Sequence, residues 1–91
     1  LDEMVIAVLD HPEITLIEIQ GHSDGEGTKE YNRVLSQSRA EAVMLYMVQH
    51  SVDAQRLLAR GYGETRPSSD TDSEDTLATN RRVEFHIVDR K

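Results

Sequence analysis

A carboxylate, an amide and a guanidinium lie near one another in the middle of this sequence, as Asp24, Asn32 and Arg39. Asn32 and Arg39 are seven residues apart, so on a helix they differ by about 20° in direction and lie about 10 Å apart along the axis. Asp24 comes just before this predicted helix, whose positive end favours the ionised carboxylate. Together the three groups suit a zwitterionic ligand. The alternative is that Asp24 and Arg39 pair with each other, or with neighbours, on a structural surface.

Other groupings of reactive residues do not match known catalytic or metal-binding patterns. His22, Asp24, Ser36 and Ser38 supply the residue types of a hydrolase, but no serine stands on a glycine-flanked strand-to-helix turn. The spacing of His22 and Asp24 fits no zinc pattern. The acidic run 70–75 lacks the central glycine and the terminal glutamate of a calcium loop. We therefore expect neither catalysis nor a metal or other cofactor.

The composition describes one small acidic domain. The chain has 91 residues, a formal net charge of −7 and no cysteine. The acidic balance argues against nucleic acid as a partner, because phosphate binding needs an excess of Lys and Arg. The lack of cysteine excludes disulfides and thiolate metal sites. The longest apolar run, residues 4–9, is too short for a transmembrane helix.

Apolar periodicity and turn residues predict the elements that would position these groups. An apolar stripe predicts a helix over residues 1–9, which ends at His11-Pro12 because a residue before proline is pushed out of the helical region. β-branched residues predict a strand over 13–20, and Thr28 can cap a long helix over 29–50. The residues expected on the inner face of this long helix are Tyr31, Leu35, Ala42, Val43 and Tyr46. Those expected on its solvent side are Arg33, Gln37, Glu41 and Gln49.

The second half of the chain predicts two more strands. Asp53 can cap a single helical turn that ends at Arg56, and residues 57–62 follow as a strand. A strand, a helix and a strand in this order predict a parallel pair with a right-handed crossover. Residues 66–79 are polar and acidic, which predicts a loop with one helical turn at its end. Residues 82–88 alternate strictly between apolar and polar side chains, which is the strongest strand signal in the chain.

Three blocks of this sequence resemble the OmpA-like (OmpA/MotB C-terminal, Pal-type) peptidoglycan-binding family. The first block follows the patterns G-H-[ST]-D and N-x-x-L-S-x-x-R-A, at residues 21–24 and 32–40. The second lies within residues 52–67, and the third is N-R-R-V-E at residues 80–84. The resemblance covers nearly the whole chain from about residue 9. It implies an α+β fold, a βαβαββ two-layer sandwich of helices on a mixed sheet, in which residues 1–91 form one domain without the family's first strand.

The resemblance also implies a ligand and the residues that bind it. The ligand would be peptidoglycan, held noncovalently through the meso-diaminopimelate of its stem peptide. Asp24 would hold the ammonium of diaminopimelate, and Arg39 would hold its carboxylate by paired, charge-assisted hydrogen bonds. Asn32 would line the pocket through its amide. Leu35 and Ser36 would form the pocket wall.

A further residue and the cellular role follow from the same resemblance. Arg81, the first arginine of the N-R-R block, would lie near the ligand or brace the pocket. The domain would anchor an envelope protein to the cell wall from the periplasm, with its parent protein attached to the outer or inner membrane. The alternative is a protein–protein interaction module whose peptidoglycan pocket is vestigial.

The sequence departs from the family pattern in three places. The family's first strand, ahead of the first helix, is absent. Thr76-Leu77 stands where relatives often have Gly-Arg, and His50-Ser51 follows the long helix where relatives often have a glycine. A sheet without one strand leaves backbone groups unpaired. We therefore expect these 91 residues to self-associate or to be marginally stable.

Overall fold

The computed structural model describes residues 2–23, 27–64, 76–80 and 83–91. Within these ranges the chain forms two α-helices and four strands: α1 (Asp2–Asp10), β1 (Ile14–Ser23), α2 (Lys29–Gln49), β2 (Leu57–Glu64), β3 (Thr76–Asn80) and β4 (Val83–Arg90). A short 3₁₀ turn at Ala54–Arg56 precedes β2, and the Asp53 carboxylate caps it by accepting from the Gln55 amide at 2.9 Å. The predicted long helix, its Thr28 cap and the Asp53 cap are confirmed.

The strands form one mixed sheet in the order β2-β1-β4-β3. β1 and β2 are parallel, as the strand–helix–strand order predicts, while β4 pairs antiparallel with both β1 and β3. The helical turn expected at the end of residues 66–79 is wrong, because residues 76–80 are a strand that pairs with β4. This short segment shows no alternation of its own, so its pairing with β4 decides its conformation. The rest of that expected loop, residues 66–75, lies outside the described residues.

Arg56 joins the end of α1 to the start of β1. Its Nη2 donates to the carbonyl oxygens of Val8 at 3.0 Å, His11 at 3.0 Å and Ile14 at 2.8 Å. The last carbonyls of a helix have no partner within the helix. The guanidinium therefore caps α1 where His11 and Pro12 end it, and keeps Val8 buried against the sheet.

The inner face of α2 is only partly the one that apolar periodicity predicts. Its buried residues are Asn32, Ser36, Ala40 and Met47. The expectation that Tyr31 and Ala42 face inward is wrong, since Tyr31 is 60% exposed and Ala42 is also exposed. Apolar side chains cover the sheet only along the second half of the helix, where Val43, Met44 and Tyr46 pack against the core.

Close backbone contact explains why the first half of α2 buries small and polar residues. A Cβ atom on Gly21 of β1 would lie 1.9 Å from the Ser36 carbonyl oxygen, and one on Gly61 of β2 would lie 2.3 Å from the Gln37 nitrogen. The two glycines let the helix backbone lie directly on the strands. No space remains there for a large apolar side chain, so the small Ser36 takes the inner position at this contact.

The described helices carry no sign of a membrane span. Neither α1 nor α2 is both long enough and apolar enough to cross a bilayer. The core lies instead between the helices and the sheet, where Ile17, Ile19 and Phe85 are almost fully buried.

Candidate functional site

Four of the six predicted ligand-binding residues belong to the described part of the chain. Asn32, Leu35, Ser36 and Arg39 all lie on the first half of α2. Asp24 and Arg81 fall outside the described residues, so their predicted roles stay predictions. The described half of the site is therefore the surface of α2 next to the carboxyl end of β1.

Arg39 reaches the end of β1. Its side chain is half-buried, and Nη1 donates to the carbonyl oxygen of His22 at 3.3 Å. This hydrogen bond fixes the guanidinium beside His22, which is two residues before Asp24 in the sequence. A guanidinium has five N–H donors in a planar fork. One of them orients Arg39 on the strand, and the others can bind a carboxylate.

The side chain of Asn32 is buried, and its oxygen is a hydrogen-bond acceptor without a partner among the described residues. Its side chain is 2% exposed, and Nδ2 donates to the Thr28 carbonyl oxygen at 2.9 Å, which fixes the orientation of the amide. Oδ1 has no hydrogen-bond partner among the described residues. A buried acceptor without a partner costs about 1–3 kcal/mol. An N–H donor of a ligand would remove this cost.

Ser36 and Leu35 differ in what they can offer a ligand. Ser36 is fully buried, and its hydroxyl donates to the Arg33 carbonyl oxygen at 2.9 Å and accepts from the Gly63 amide at 2.8 Å. The hydroxyl thus links α2 to β2. Leu35 is half-buried and lies one turn before Arg39, where it can supply apolar contact beside the guanidinium.

Gln37 positions α2 on the sheet, a role that the sequence pattern does not predict. Its Oε1 accepts from the Gly61 amide at 2.7 Å, and its Nε2 donates to the Ala59 carbonyl oxygen at 3.1 Å. Helical periodicity assigns Gln37 to the solvent side of α2, and that prediction is wrong. The side chain instead holds the helix against β2, which sets the depth of the site on the sheet.

Five polar residues form a cluster on the sheet face opposite α2, which we call the open-face cluster: Glu18, His22, Tyr62, Glu84 and His86. The Tyr62 hydroxyl donates to Glu18 Oε1 at 2.9 Å, and the two carboxylates of the cluster are each only 8% exposed. Glu84 lies 2.7 Å from His86 Nε2 and 3.7 Å from His22 Nε2. The cluster ties β1, β2 and β4 together beneath the predicted pocket.

His22 connects the open-face cluster to the predicted pocket. Its ring stacks on that of Tyr62, with centroids 5.7 Å apart and planes at 15°, while its carbonyl accepts from Arg39. Burial, followed by the hydrogen bond to Glu18, raises the pKa of the Tyr62 phenol. The phenol therefore stays neutral and keeps donating to Glu18. Across the ranges described above, no group of His, Asp and Glu is placed to hold a metal ion.

Comparisons with known proteins agree with the fold and the motifs. The sequence model of the OmpA family matches residues 1–81. Outer membrane porin F of Pseudomonas fluorescens is 46% identical over 73 residues, which are 80% of this chain and 22% of the porin. The peptidoglycan-associated lipoprotein of Pseudomonas aeruginosa is 41% identical over 69 residues, which are 76% of this chain and 41% of the lipoprotein.

A solved structure gives the same result for the fold. The peptidoglycan-associated lipoprotein from Burkholderia pseudomallei matches with a TM-score of 0.71 and 33% identity, over 92% of this chain and 70% of that chain. The predicted α+β architecture, helices on a mixed sheet, is confirmed. The chain spans less than half the length of the curated relatives it matches, about a fifth of the porin and two fifths of the lipoprotein named above.

Proposed function

We propose that this chain, which belongs to the OmpA family, binds peptidoglycan noncovalently and anchors an envelope protein to the cell wall. The names of its relatives support this proposal, since they include lipoproteins called peptidoglycan-associated and porins of the outer membrane. In this proposal residues 1–91 act as one binding domain without catalytic activity. The domain works in the periplasm, and its parent protein is attached to a membrane.

The proposed ligand is the diaminopimelate of the peptidoglycan stem peptide. Its side chain ends in a free ammonium and a free carboxylate. The Arg39 guanidinium binds the carboxylate, and the Asp24 carboxylate binds the ammonium. Arg81 lies near the ligand or braces the pocket, and Leu35 supplies apolar contact.

The arrangement of Arg39 and Asn32 on α2 is the main support for this proposal. The guanidinium of Arg39 is held at the end of β1 by the His22 carbonyl, and the same face of α2 carries the buried Oδ1 of Asn32, which has no hydrogen-bond partner among the described residues. A charged donor and a neutral acceptor on one face fit a ligand with both a carboxylate and N–H groups. Fold stability does not require an unsatisfied buried acceptor, so its presence favours a ligand-binding role.

A comparison of two stem peptides tests the proposal. Isothermal titration calorimetry would compare a muropeptide with a diaminopimelate stem and one with a lysine stem, which lacks the side-chain carboxylate. Without that carboxylate the charge of Arg39 stays unpaired, so we expect the diaminopimelate stem to bind at least about tenfold tighter, or about 1.4 kcal/mol. Equal affinities would show that Arg39 does not bind the side-chain carboxylate of diaminopimelate. No binding of either stem would favour a protein–protein interaction module with a vestigial pocket.

A further inference from the structure

β2 lies at one edge of the sheet, and among the described strands its only neighbour is β1. A strand in this position is a template for pairing with another chain, because its outer N–H and C=O groups have no partner strand. Successive residues of a strand direct these groups to opposite edges. Every second residue of β2 therefore directs its backbone groups away from the sheet.

Hydrogen bonds identify the outward residues of β2, whose backbone groups bond outside the sheet: Leu57, Ala59, Gly61 and Gly63. The Leu57 amide donates to the Ala54 carbonyl oxygen in the 3₁₀ turn. The Gly63 amide donates to the Ser36 hydroxyl at 2.8 Å. The two residues between them both bond to one side chain of α2, that of Gln37. We call the outer groups of these four residues the β2 edge.

Gln37 covers the centre of the β2 edge with its side-chain amide. Its Nε2 donates to the Ala59 carbonyl oxygen at 3.1 Å, and its Oε1 accepts from the Gly61 amide at 2.7 Å. In a parallel ladder, one residue of the neighbouring strand makes this same pair of bonds, to the groups on either side of the residue opposite it. The amide of Gln37 thus takes the place of a parallel strand opposite Arg60. The same nitrogen also donates to Glu41 Oε2 at 3.1 Å, which holds the amide from the helix side.

The close approach of α2 to β2 makes this contact possible. A Cβ on Gly61 would lie 2.3 Å from the Gln37 nitrogen, so the helix lies directly on the strand at this point. A glutamine side chain that begins there is long enough to reach the backbone groups of the β2 edge. An incoming strand would need the same carbonyl and amide that Gln37 occupies. It must break both hydrogen bonds before it can form its own.

From these contacts we infer that Gln37 closes the β2 edge and prevents a second copy of this chain from pairing with it. The inference does not depend on the proposed ligand, since none of the contacts involves Arg39 or Asn32. The closed edge keeps β2 from extending its sheet into a neighbouring domain. Removal of the Gln37 amide exposes the Ala59 carbonyl and the Gly61 amide together, at the centre of the edge.

Sedimentation equilibrium of the variant Gln37→Ala tests the inference. Alanine favours a helix more than glutamine does, so α2 should stay intact. At physiological ionic strength, which screens repulsion between the acidic copies, the dissociation constant for self-association should fall at least about tenfold below that of wild type, because an incoming strand no longer has two hydrogen bonds to break. Gln49→Ala is the matched control. It makes the same substitution at the exposed end of α2 and should sediment like wild type.

Hydrogen exchange at Gly61 locates the contact between copies. In wild type this amide should exchange slowly, because it donates to Gln37 Oε1. In Gln37→Ala it should exchange fast in dilute solution, and slowly again at high concentration, where a second copy pairs with the β2 edge. Self-association of Gln37→Ala equal to that of wild type would overturn the inference. Stronger association that leaves the Gly61 amide exchanging fast would also overturn it, because the chains would then pair elsewhere.

A second variant, Gln37→Met, carries the same test if the alanine variant does not fold. Methionine keeps the length and the helix propensity of the side chain but makes neither hydrogen bond. We expect this variant to self-associate more strongly than wild type, with the same return of slow exchange at Gly61. A folded Gln37→Met protein that associates no more strongly than wild type would contradict the closure of the edge by the amide.

Discussion

The guanidinium of Arg39 donates to the carbonyl oxygen of His22 across 3.3 Å, which joins the middle of α2 to the end of β1. Among the described residues this is the only hydrogen bond of the Arg39 side chain, and it uses one of the five guanidinium donors. It therefore orients the side chain while leaving most of its hydrogen-bonding capacity for other groups.

Replacing Arg39 should abolish or strongly weaken binding of a diaminopimelate muropeptide. Arg39→Ala leaves the ligand carboxylate without its charged partner, which we expect to cost about 2–5 kcal/mol. Arg39→Lys keeps the charge but loses the planar fork, so its affinity should fall between those of Arg39→Ala and wild type. Calorimetry measures all three proteins. Arg60→Ala, which removes an arginine on the opposite face of the sheet, should bind like wild type.

Replacing Asn32 should weaken ligand binding without lowering the free energy of unfolding. Asn32→Leu removes a buried acceptor that has no partner among the described residues and replaces it with an apolar group of similar size. The free energy of unfolding should therefore stay the same or rise by up to about 1 kcal/mol. The affinity for the diaminopimelate stem should fall at least about tenfold, because the ligand loses an acceptor.

Two measurements check this prediction together, urea unfolding and calorimetry. A large loss of stability would mean that the Nδ2 contact with the Thr28 carbonyl is structurally essential. Unchanged affinity would mean that Oδ1 does not face the ligand.

The sequence predicts the long elements well because their signals are local. The Thr28 cap sets the start of α2, β-branched residues mark β1, and strict alternation marks β4. The inner face of α2 is harder to predict, because glycines on two distant strands decide which helix positions are buried. Tyr31 has the apolar character of an inner residue, but α2 turns Ser36 toward Gly21, and Asn32, one turn before Ser36, is buried instead.

The residues of the candidate site also differ in whether a local sequence pattern predicts their positions. Spacing alone places Asn32 and Arg39 on one face of a helix, and both residues lie on α2, with Asn32 buried and Arg39 half-buried beside His22. The role of Gln37 depends on where β2 packs, and no local pattern encodes that contact. Asp24 and Arg81 come from the family resemblance and stay predictions.

Gly21 should be one of the least replaceable residues of the fold. Gly21→Ala would place a methyl group 1.9 Å from the Ser36 carbonyl oxygen, and backbone on both sides cannot yield without moving α2 off the sheet. We expect a loss of about 3 kcal/mol or more in the free energy of unfolding. Gly63→Ala meets only a 3.4 Å contact and a positive φ, so it should cost about 1–2 kcal/mol. Chemical denaturation of both variants measures the difference, and equal losses would contradict the close packing of α2 on β1.

Tyr62 should make the fold sensitive to high pH. Burial and the hydrogen bond to Glu18 raise the pKa of this phenol above its ordinary value of 10.0. A group whose pKa is raised on folding stabilises the protein fully below its unfolded pKa, and this stabilisation is lost as the pH rises through the folded pKa. The free energy of unfolding should therefore fall above about pH 10, and Tyr62→Phe should make this fall less steep. Tyr46→Phe is the matched control. A hydrogen bond to Asp2 also raises the pKa of Tyr46, but this bond is exposed to solvent, which screens the effect, although the ring packs against the core. If Tyr62→Phe and wild type lose stability equally steeply between pH 9 and 12, the buried phenol does not contribute in this way.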